Sequence, residues 1–194
     1  MDKLYENYVY TRQLNLNLSM IKKSSYKMHD FLYKNFFNDM KNEKPIASTI
    51  IFSKYNLFMY PFDSFYDLYF EIQRMFREKL NDKTPYYIQA WLNLYRKGEF
   101  IDWHNHWTPD KKTWHGYYCV DCESSKTTYK IPLEKQQKII DIQNKNNLLV
   151  MSRSNGDQHR TWPWDKNEPR ITIAFDIVPS NVISNTLINH WIPI

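Results

Sequence analysis

From residue 85 to residue 178 the sequence is dominated by the two-residue period of β-strands, and this stretch limits the fold more than any other feature. Residues 86–95 are aromatic and alternating, and Arg96-Lys97-Gly98-Glu99 reads as a turn. Further strands are expected over residues 100–106, 114–120, 127–131, 148–152 and 170–178. A polar loop separates them at 108–112, and a long polar connection at 132–146 carries only a small apolar patch of Ile139, Ile140 and Ile142. Upstream of Pro85 the period changes. Phe62, Phe65, Tyr69, Ile72, Phe76 and Leu80 recur at three and four residues, with Glu71, Arg74, Arg77 and Lys79 on the opposite face. That spacing predicts an amphipathic helix opened near Pro61 and Asp63 and closed by Asn81-Asp82. Residues 28–40, with Met28, Phe31, Leu32, Phe36 and Phe37, fit a second, shorter helix, and the β-branched and aromatic residues of 49–59 predict a strand. Helices followed by many short strands argue for a mainly β fold with flanking helices, a sandwich or barrel.

At 194 residues the chain has the length of one domain with a sizeable core, and 42% hydrophobic with 17% aromatic residues excludes a disordered chain. The net charge of +5 raises nucleic acid as a partner class. The basic residues are scattered, however, as at Lys22-Lys23, Lys111-Lys112, Lys135 and Lys138, so nucleic acid is not the expected partner. Residues 1–6 lack a signal-peptide pattern, and the apolar stretch 46–70 is interrupted by Lys54, Asn56, Pro61, Asp63 and Asp67. Cys119 and Cys122 cannot build a disulfide framework, and a lone C-x-x-C pair reads as ordinary strand-end cysteines. A soluble cytoplasmic protein with no membrane partner is expected.

The chemistry concentrates in three places. In Trp103-His104-Asn105-His106 the two histidines are two residues apart, which on a strand turns both imidazoles to one face. His159 follows Gly156-Asp157-Gln158, just beyond the strand that ends near Ser152. In residues 170–177 Arg170, Thr172 and Ala174 share one face, and Ile171, Ile173 and Phe175 the other. A guanidinium and a hydroxyl on one face of an apolar strand suit recognition of a carboxylate. Taken singly, each feature is as readily an ordinary surface or core residue.

Taken in order, H-x-H, then a later histidine, then Arg-x-Thr on the last core strand, they resemble the Fe(II)- and 2-oxoglutarate-dependent oxygenases, in particular the prolyl-4-hydroxylase-like branch. The resemblance covers about residues 86–179. Gln89-Ala90-Trp91-Leu92-Asn93 with Lys97-Gly98-Glu99-Phe100 is similar to the strand and turn before the first ligand. Trp114-His115-Gly116-Tyr117-Tyr118, Thr127-Thr128-Tyr129-Lys130-Ile131-Pro132 and Arg170-Ile171-Thr172-Ile173-Ala174-Phe175 resemble the strands that follow.

This resemblance implies a double-stranded β-helix, a distorted jelly roll of the cupin-like kind. Residues 85–179 would form its core, residues 1–84 an N-terminal support and residues 180–194 a C-terminal extension of a single domain. It implies iron on His104, His106 and His159, and 2-oxoglutarate anchored by Arg170 with help from Thr172. Tyr117, Tyr118 and Asn93 are further candidates for contacts to the co-substrate; the two tyrosines point to opposite faces of a strand, and Tyr118 is the expected one of the two. With O2, such a site hydroxylates its substrate and releases succinate and CO2. The substrate would be an unidentified protein or small molecule, a peptidyl proline or another protein side chain being the first expectation.

One departure stands out. The usual triad is H-x-D with a distal histidine, whereas His106 occupies the place of the acid. Asp102 or Asp157 could supply the carboxylate or orient an imidazole; His115 is not expected to ligate. Trp103, Trp107, Trp114, Trp162 and Trp164 bracket the site in sequence. Two other readings remain: a three-histidine cupin-type iron dioxygenase that does not use 2-oxoglutarate, and a non-enzymatic jelly-roll binding module.

Overall fold

The computed structural model describes residues 3–5, 8–36, 49, 51–81, 83–107, 112–133, 136–154, 156–183 and 190–194. Among the described residues ten strands form two antiparallel sheets. The larger contains β1 (Lys3–Tyr5), β2 (Val9–Gln13), β3 (Tyr86–Tyr95), β4 (Trp114–Asp121), β7 (Leu148–Arg153), β9 (Arg170–Pro179) and β10 (Ile192–Pro193), in the order β1-β2-β7-β4-β9-β3-β10. The smaller is β6 (Gln137–Gln143), β5 (Lys126–Pro132) and β8 (Gln158–Thr161).

The central strand β9 shows how sequence alternation becomes architecture. Arg170, Thr172, Ala174 and Asp176 line a cavity, while the intervening Ile171, Ile173, Phe175 and Ile177 are fully buried in the hydrophobic core. Strand β3 repeats the division with Gln89, Trp91, Asn93 and Tyr95 on the cavity and Ile88, Ala90, Leu92 and Leu94 in the core. Two helices, α1 (Leu18–Asn35) and α2 (Asp63–Lys79), add their buried faces to that core. On α2 the buried apolar residues are Phe65, Leu68, Ile72, Met75 and Phe76. Phe65, Ile72 and Phe76 belong to the stripe that the sequence periodicity marks, whose other members, Phe62, Tyr69 and Leu80, are partly buried, and Leu68 and Met75 add to it. No helix among the described residues is long and apolar enough to cross a membrane.

Gly116 lies on β4 between β7 and β9, opposite Met151 and Phe175. A Cβ at this position would sit 2.3 Å from the Val150 carbonyl oxygen and 2.4 Å from the Phe175 ring. A backbone oxygen in a central sheet cannot move aside. Gly116→Ala is therefore expected to lower stability by about 3 kcal/mol, at the upper end of overpacking costs, measured by urea unfolding.

Several expectations change. The described residues of 49–59 form no strand: 3-10 turns occupy Phe52–Lys54 and Leu57–Met59, and residue 50 lies outside the described residues. Buried Asn56 ties this segment down, since its amide donates to the Ile88 and His190 carbonyls and its oxygen accepts from the Phe58 and Ala90 N–H groups. Residues 132–146 are no mere connection, because they contain β6, paired with β5 over its whole length. The helix expected at 28–40 begins at Leu18, where the Asn17 side chain accepts from the Met20 N–H at 3.2 Å. Its buried face, Ile21, Ser24, Ser25, Met28 and Leu32, includes two serines that mask the stripe. Residues 37–40 of that expectation, and residues 108–111 of the expected polar loop, lie outside the described residues.

Candidate metal centre and co-substrate pocket

Residues 100–106 run alongside β8 without becoming the expected strand. His104 and His159 exchange both backbone hydrogen bonds, at 3.1 and 3.0 Å, as an isolated antiparallel bridge. Three residues earlier the pairing turns irregular: the Thr161 N–H donates to the Ile101 carbonyl at 3.0 Å, while the Ile101 N–H is taken by the Thr161 hydroxyl at 2.9 Å. His159 lies on β8, where His159 and Thr161 are buried and Gln158 and Arg160 only partly so. The pairing of His104 with His159 brings the first and the distal histidine side by side.

The three expected imidazoles converge. Ring centroids lie 5.3 Å apart for His104 and His106, 4.2 Å for His104 and His159, and 5.2 Å for His106 and His159. One ring nitrogen from each falls within 4.8 Å of the others, a spacing that suits a shared cation. Hydrogen bonds fix the tautomers. His104 Nδ1 donates to the Asp102 carbonyl at 2.9 Å, and His106 Nδ1 donates to Asp176 Oδ1 at 2.6 Å. Because both partners only accept, Nδ1 carries the proton in each ring and Nε2 keeps a lone pair for a metal. Buried His159 leaves Nδ1 with no hydrogen-bond partner among the described residues.

The carboxylate missing from the ligand set sits one bond further out. Asp176 receives His106 on one oxygen and the Trp107 indole N–H, at 3.1 Å, on the other. A carboxylate bonded to a ligating imidazole raises that ring's basicity and holds its plane. Asp102 does not fill this place: it is exposed, and its side chain accepts from the Trp103 N–H at 2.8 Å. Asp157, the other candidate, is buried beside His115. Three nitrogen donors and an outer carboxylate fit a borderline divalent cation such as Fe(II).

Burial and the charge of His106 push the His104 pKa down to about 4. Burial and the neighbouring imidazoles push His159 well below the ordinary value. For His106, burial works in the same direction but the Asp176 charge and hydrogen bond outweigh it, and its pKa rises above the ordinary 6.5. Protons thus compete with a metal chiefly at His106. Cation affinity is expected to be flat above that raised pKa and to fall about tenfold per pH unit below it, as measured by Co(II) titration between pH 8 and 5.

A cavity of about 500 Å3 adjoins the three histidines. Its walls include the candidate residues Arg170, Thr172 and Asn93, together with Tyr95, Tyr117, Thr127 and Thr161. Arg170 is 2% exposed; its Nε donates to the Ser125 hydroxyl at 3.3 Å and its guanidinium lies 5.3 Å from the Tyr95 ring centre. Among the described residues no carboxylate pairs with it. Thr172 stands opposite Asn93 across the sheet, and the Thr49 hydroxyl donates to the Asn93 oxygen at 2.5 Å. Tyr118 needs correcting. It faces away from the cavity, where its phenol donates to Asn147, and alternation along β4 turns Tyr117 inward instead.

The arrangement of the two sheets has a counterpart among solved structures. A prolyl-4-hydroxylase from Pseudomonas putida superposes with a TM-score of 0.51 over 89% of this chain and 86% of that one, at 10% identity. The fold is a double-stranded β-helix, a distorted jelly roll. A 2OG-Fe(II) oxygenase family protein from Burkholderia pseudomallei matches over 54% of this chain and 50% of that one, with a TM-score of 0.44 and 14% identity. The matched region thus spans about half the length of that protein, and likewise of SnoN, an α-ketoglutarate-dependent epimerase of nogalamycin biosynthesis. No family model matches the sequence, and no curated protein is similar to it.

Two residues of the site escaped the sequence reading. Asp176 continues the alternation of Arg170, Thr172 and Ala174, so the signal was present. His115, set aside as a ligand, is buried with its ring 4.6 Å from that of His106 and 4.9 Å from that of His159. It shares the inward face of β4 with Tyr117, and that parity was its signal.

Proposed function

We propose that the chain is an Fe(II)- and 2-oxoglutarate-dependent dioxygenase that hydroxylates a protein side chain, with a peptidyl proline as the first candidate. The observation that carries this reading is the buried guanidinium of Arg170, which has no carboxylate partner among the described residues and lies on the wall of the cavity that contains the histidines. A buried charge without a counter-ion costs several kcal/mol, so the site is built for an anion that arrives with the co-substrate. The far carboxylate of 2-oxoglutarate satisfies Arg170 in a bidentate manner, and the Thr172 hydroxyl adds a further bond.

His104, His106 and His159 hold the iron, and Asp176 keeps the His106 lone pair directed toward it. Bound together, iron, 2-oxoglutarate and O2 supply the oxidising power: one oxygen atom enters a substrate C–H bond, the other goes into succinate, and CO2 leaves. The chain's own contribution is orientation and exclusion of water. Trp91 stacks on the His106 ring at 6.1 Å, and Trp107 packs edge-on against Trp191 at 6.2 Å beside the cavity. With Phe52, 42% exposed, these rings form an apolar platform that suits a proline ring or another aliphatic side chain. The prolyl-4-hydroxylase name of the Pseudomonas putida protein supports that substrate class.

The test is turnover of labelled 2-oxoglutarate to succinate by the Fe(II)-loaded chain, with a proline-containing peptide library as prime substrate. Succinate release stimulated by a peptide, with mass gain of one oxygen in that peptide, is expected. The absence of a carboxylate among the three donors favours one second reading, a three-histidine dioxygenase whose substrate binds the iron directly and whose carboxylate pairs with Arg170. Oxygen uptake without any succinate would select it.

A further inference from the structure

Beside the three histidines lies a second group of donors, two of which the proposed iron site does not use. His115 and Asp157 are both 1% exposed, and His159 belongs to both groups. One donor atom each from His115, Asp157 and His159 falls within 4.8 Å of the others. Polar contacts hold the pair from behind: Ser154 Oγ lies 3.0 Å from His115 Nδ1, and the Ser152 hydroxyl donates to Asp157 Oδ2 at 3.2 Å. What remains is unusual for so buried a cluster. Asp157 Oδ1, His115 Nε2 and His159 Nδ1 all lack a hydrogen-bond partner among the described residues.

An ordinary buried His–Asp pair would satisfy itself with an N–H···O bond at about 2.8 Å. Here His115 Nε2 lies 3.3 Å from Asp157 Oδ2, an ion-pair contact without hydrogen-bond geometry, and the carboxylate oxygen left without a partner among the described residues is Oδ1. A separation near 3.4 Å is the ligand-to-ligand edge of a tetrahedron around a cation with bonds of about 2.1 Å. Two imidazoles and one carboxylate are also the donor set that three histidines alone do not provide. Leaving a buried carboxylate oxygen unpaired is costly, and a divalent cation removes that cost along with those of the two ring nitrogens.

We propose that His115, Asp157 and His159 form a second position for a divalent transition-metal cation of the Fe(II), Co(II) or Zn(II) kind, deeper than the first and sharing His159 with it. A neutral imidazole ligates one ion at a time, so the two positions are alternatives and the chain binds one ion in total. Its donors are more deeply buried than His104 and His106. The inference stands on the donors of this cluster and needs neither 2-oxoglutarate nor hydroxylation.

Anaerobic Co(II) titration, followed by visible d–d absorption and by metal content after gel filtration, tests it. The His104→Ala/His106→Ala chain is expected to retain one Co(II), and adding Asp157→Asn to that pair is expected to weaken binding by at least about a hundredfold. Far-UV circular dichroism checks that each chain is folded, and the His104→Gln/His106→Gln pair gives the same reading if the alanine pair does not fold. A folded double variant that binds no Co(II), while the unaltered chain binds one, overturns the second position and leaves the three-histidine site standing. Retention of Co(II) that is indifferent to Asp157→Asn also overturns it. Absence of Co(II) from the unaltered chain removes both sites.

Discussion

Replacing Arg170 with leucine is expected to abolish the response to 2-oxoglutarate while leaving the free protein at least as stable. The guanidinium is buried with no carboxylate partner among the described residues. Before the co-substrate binds, it is a desolvated charge held by a hydroxyl and an aromatic face, and replacing such a charge by a hydrocarbon of similar volume is often neutral or stabilising. After binding it is one half of a buried charge pair, and truncating one partner of such a pair costs about 2–5 kcal/mol. The affinity for 2-oxoglutarate should therefore fall roughly 30-fold to more than 1000-fold. Thermal unfolding provides both readings in one experiment. The unaltered chain gains melting temperature on adding 2-oxoglutarate with a redox-inert metal, and Arg170→Leu does not. A variant that unfolds on its own would instead mark Arg170 as a structural residue.

His159→Ala should be the most severe single change for the metal. The ring lies between His104 and Tyr129, stacked on the latter at 5.1 Å, and it belongs to both groups of donors. Loss of a partner that only supports a ligand costs 10–100-fold in metal affinity, so loss of this shared ligand should exceed about a hundredfold. The fold should survive, because β8 is held by backbone pairing to β5 that does not depend on the side chain. Equilibrium dialysis against Co(II) measures the effect, and an affinity close to that of the unaltered chain would exclude His159 from coordination.

How far the sequence could be read depends on where each signal resides. Strands β3, β4, β7 and β9 are apolar on their core face and were legible from alternation, as was the stripe of α2. Strand β6 was not, because its residues are mostly exposed or partly so and its apolar content is three isoleucines among polar residues. The 49–59 segment has strand-like composition, yet Asn56 holds it through contacts to residues 88, 90 and 190, which no local pattern reveals. In the site, the order of His104, His106, His159 and Arg170 could be read directly. The parity of β4 and β9 could have added His115 and Asp176. The contact between Asp176 and His106 could not be read, since it joins residues 70 apart across the cavity mouth. Parity also decides between the neighbouring Tyr117 and Tyr118, and only the structure shows which phase the strand adopts.

Anaerobic titration of the Fe(II)-loaded chain with 2-oxoglutarate tests the shared iron and co-substrate chemistry most directly. Chelation of the metal by the keto acid gives a weak visible charge-transfer band. That band is expected to appear and saturate at one 2-oxoglutarate per chain in the unaltered protein, and to require far higher concentrations in Arg170→Leu. A chain that binds Fe(II) yet develops no band, or develops it equally well without Arg170, contradicts a 2-oxoglutarate-dependent function.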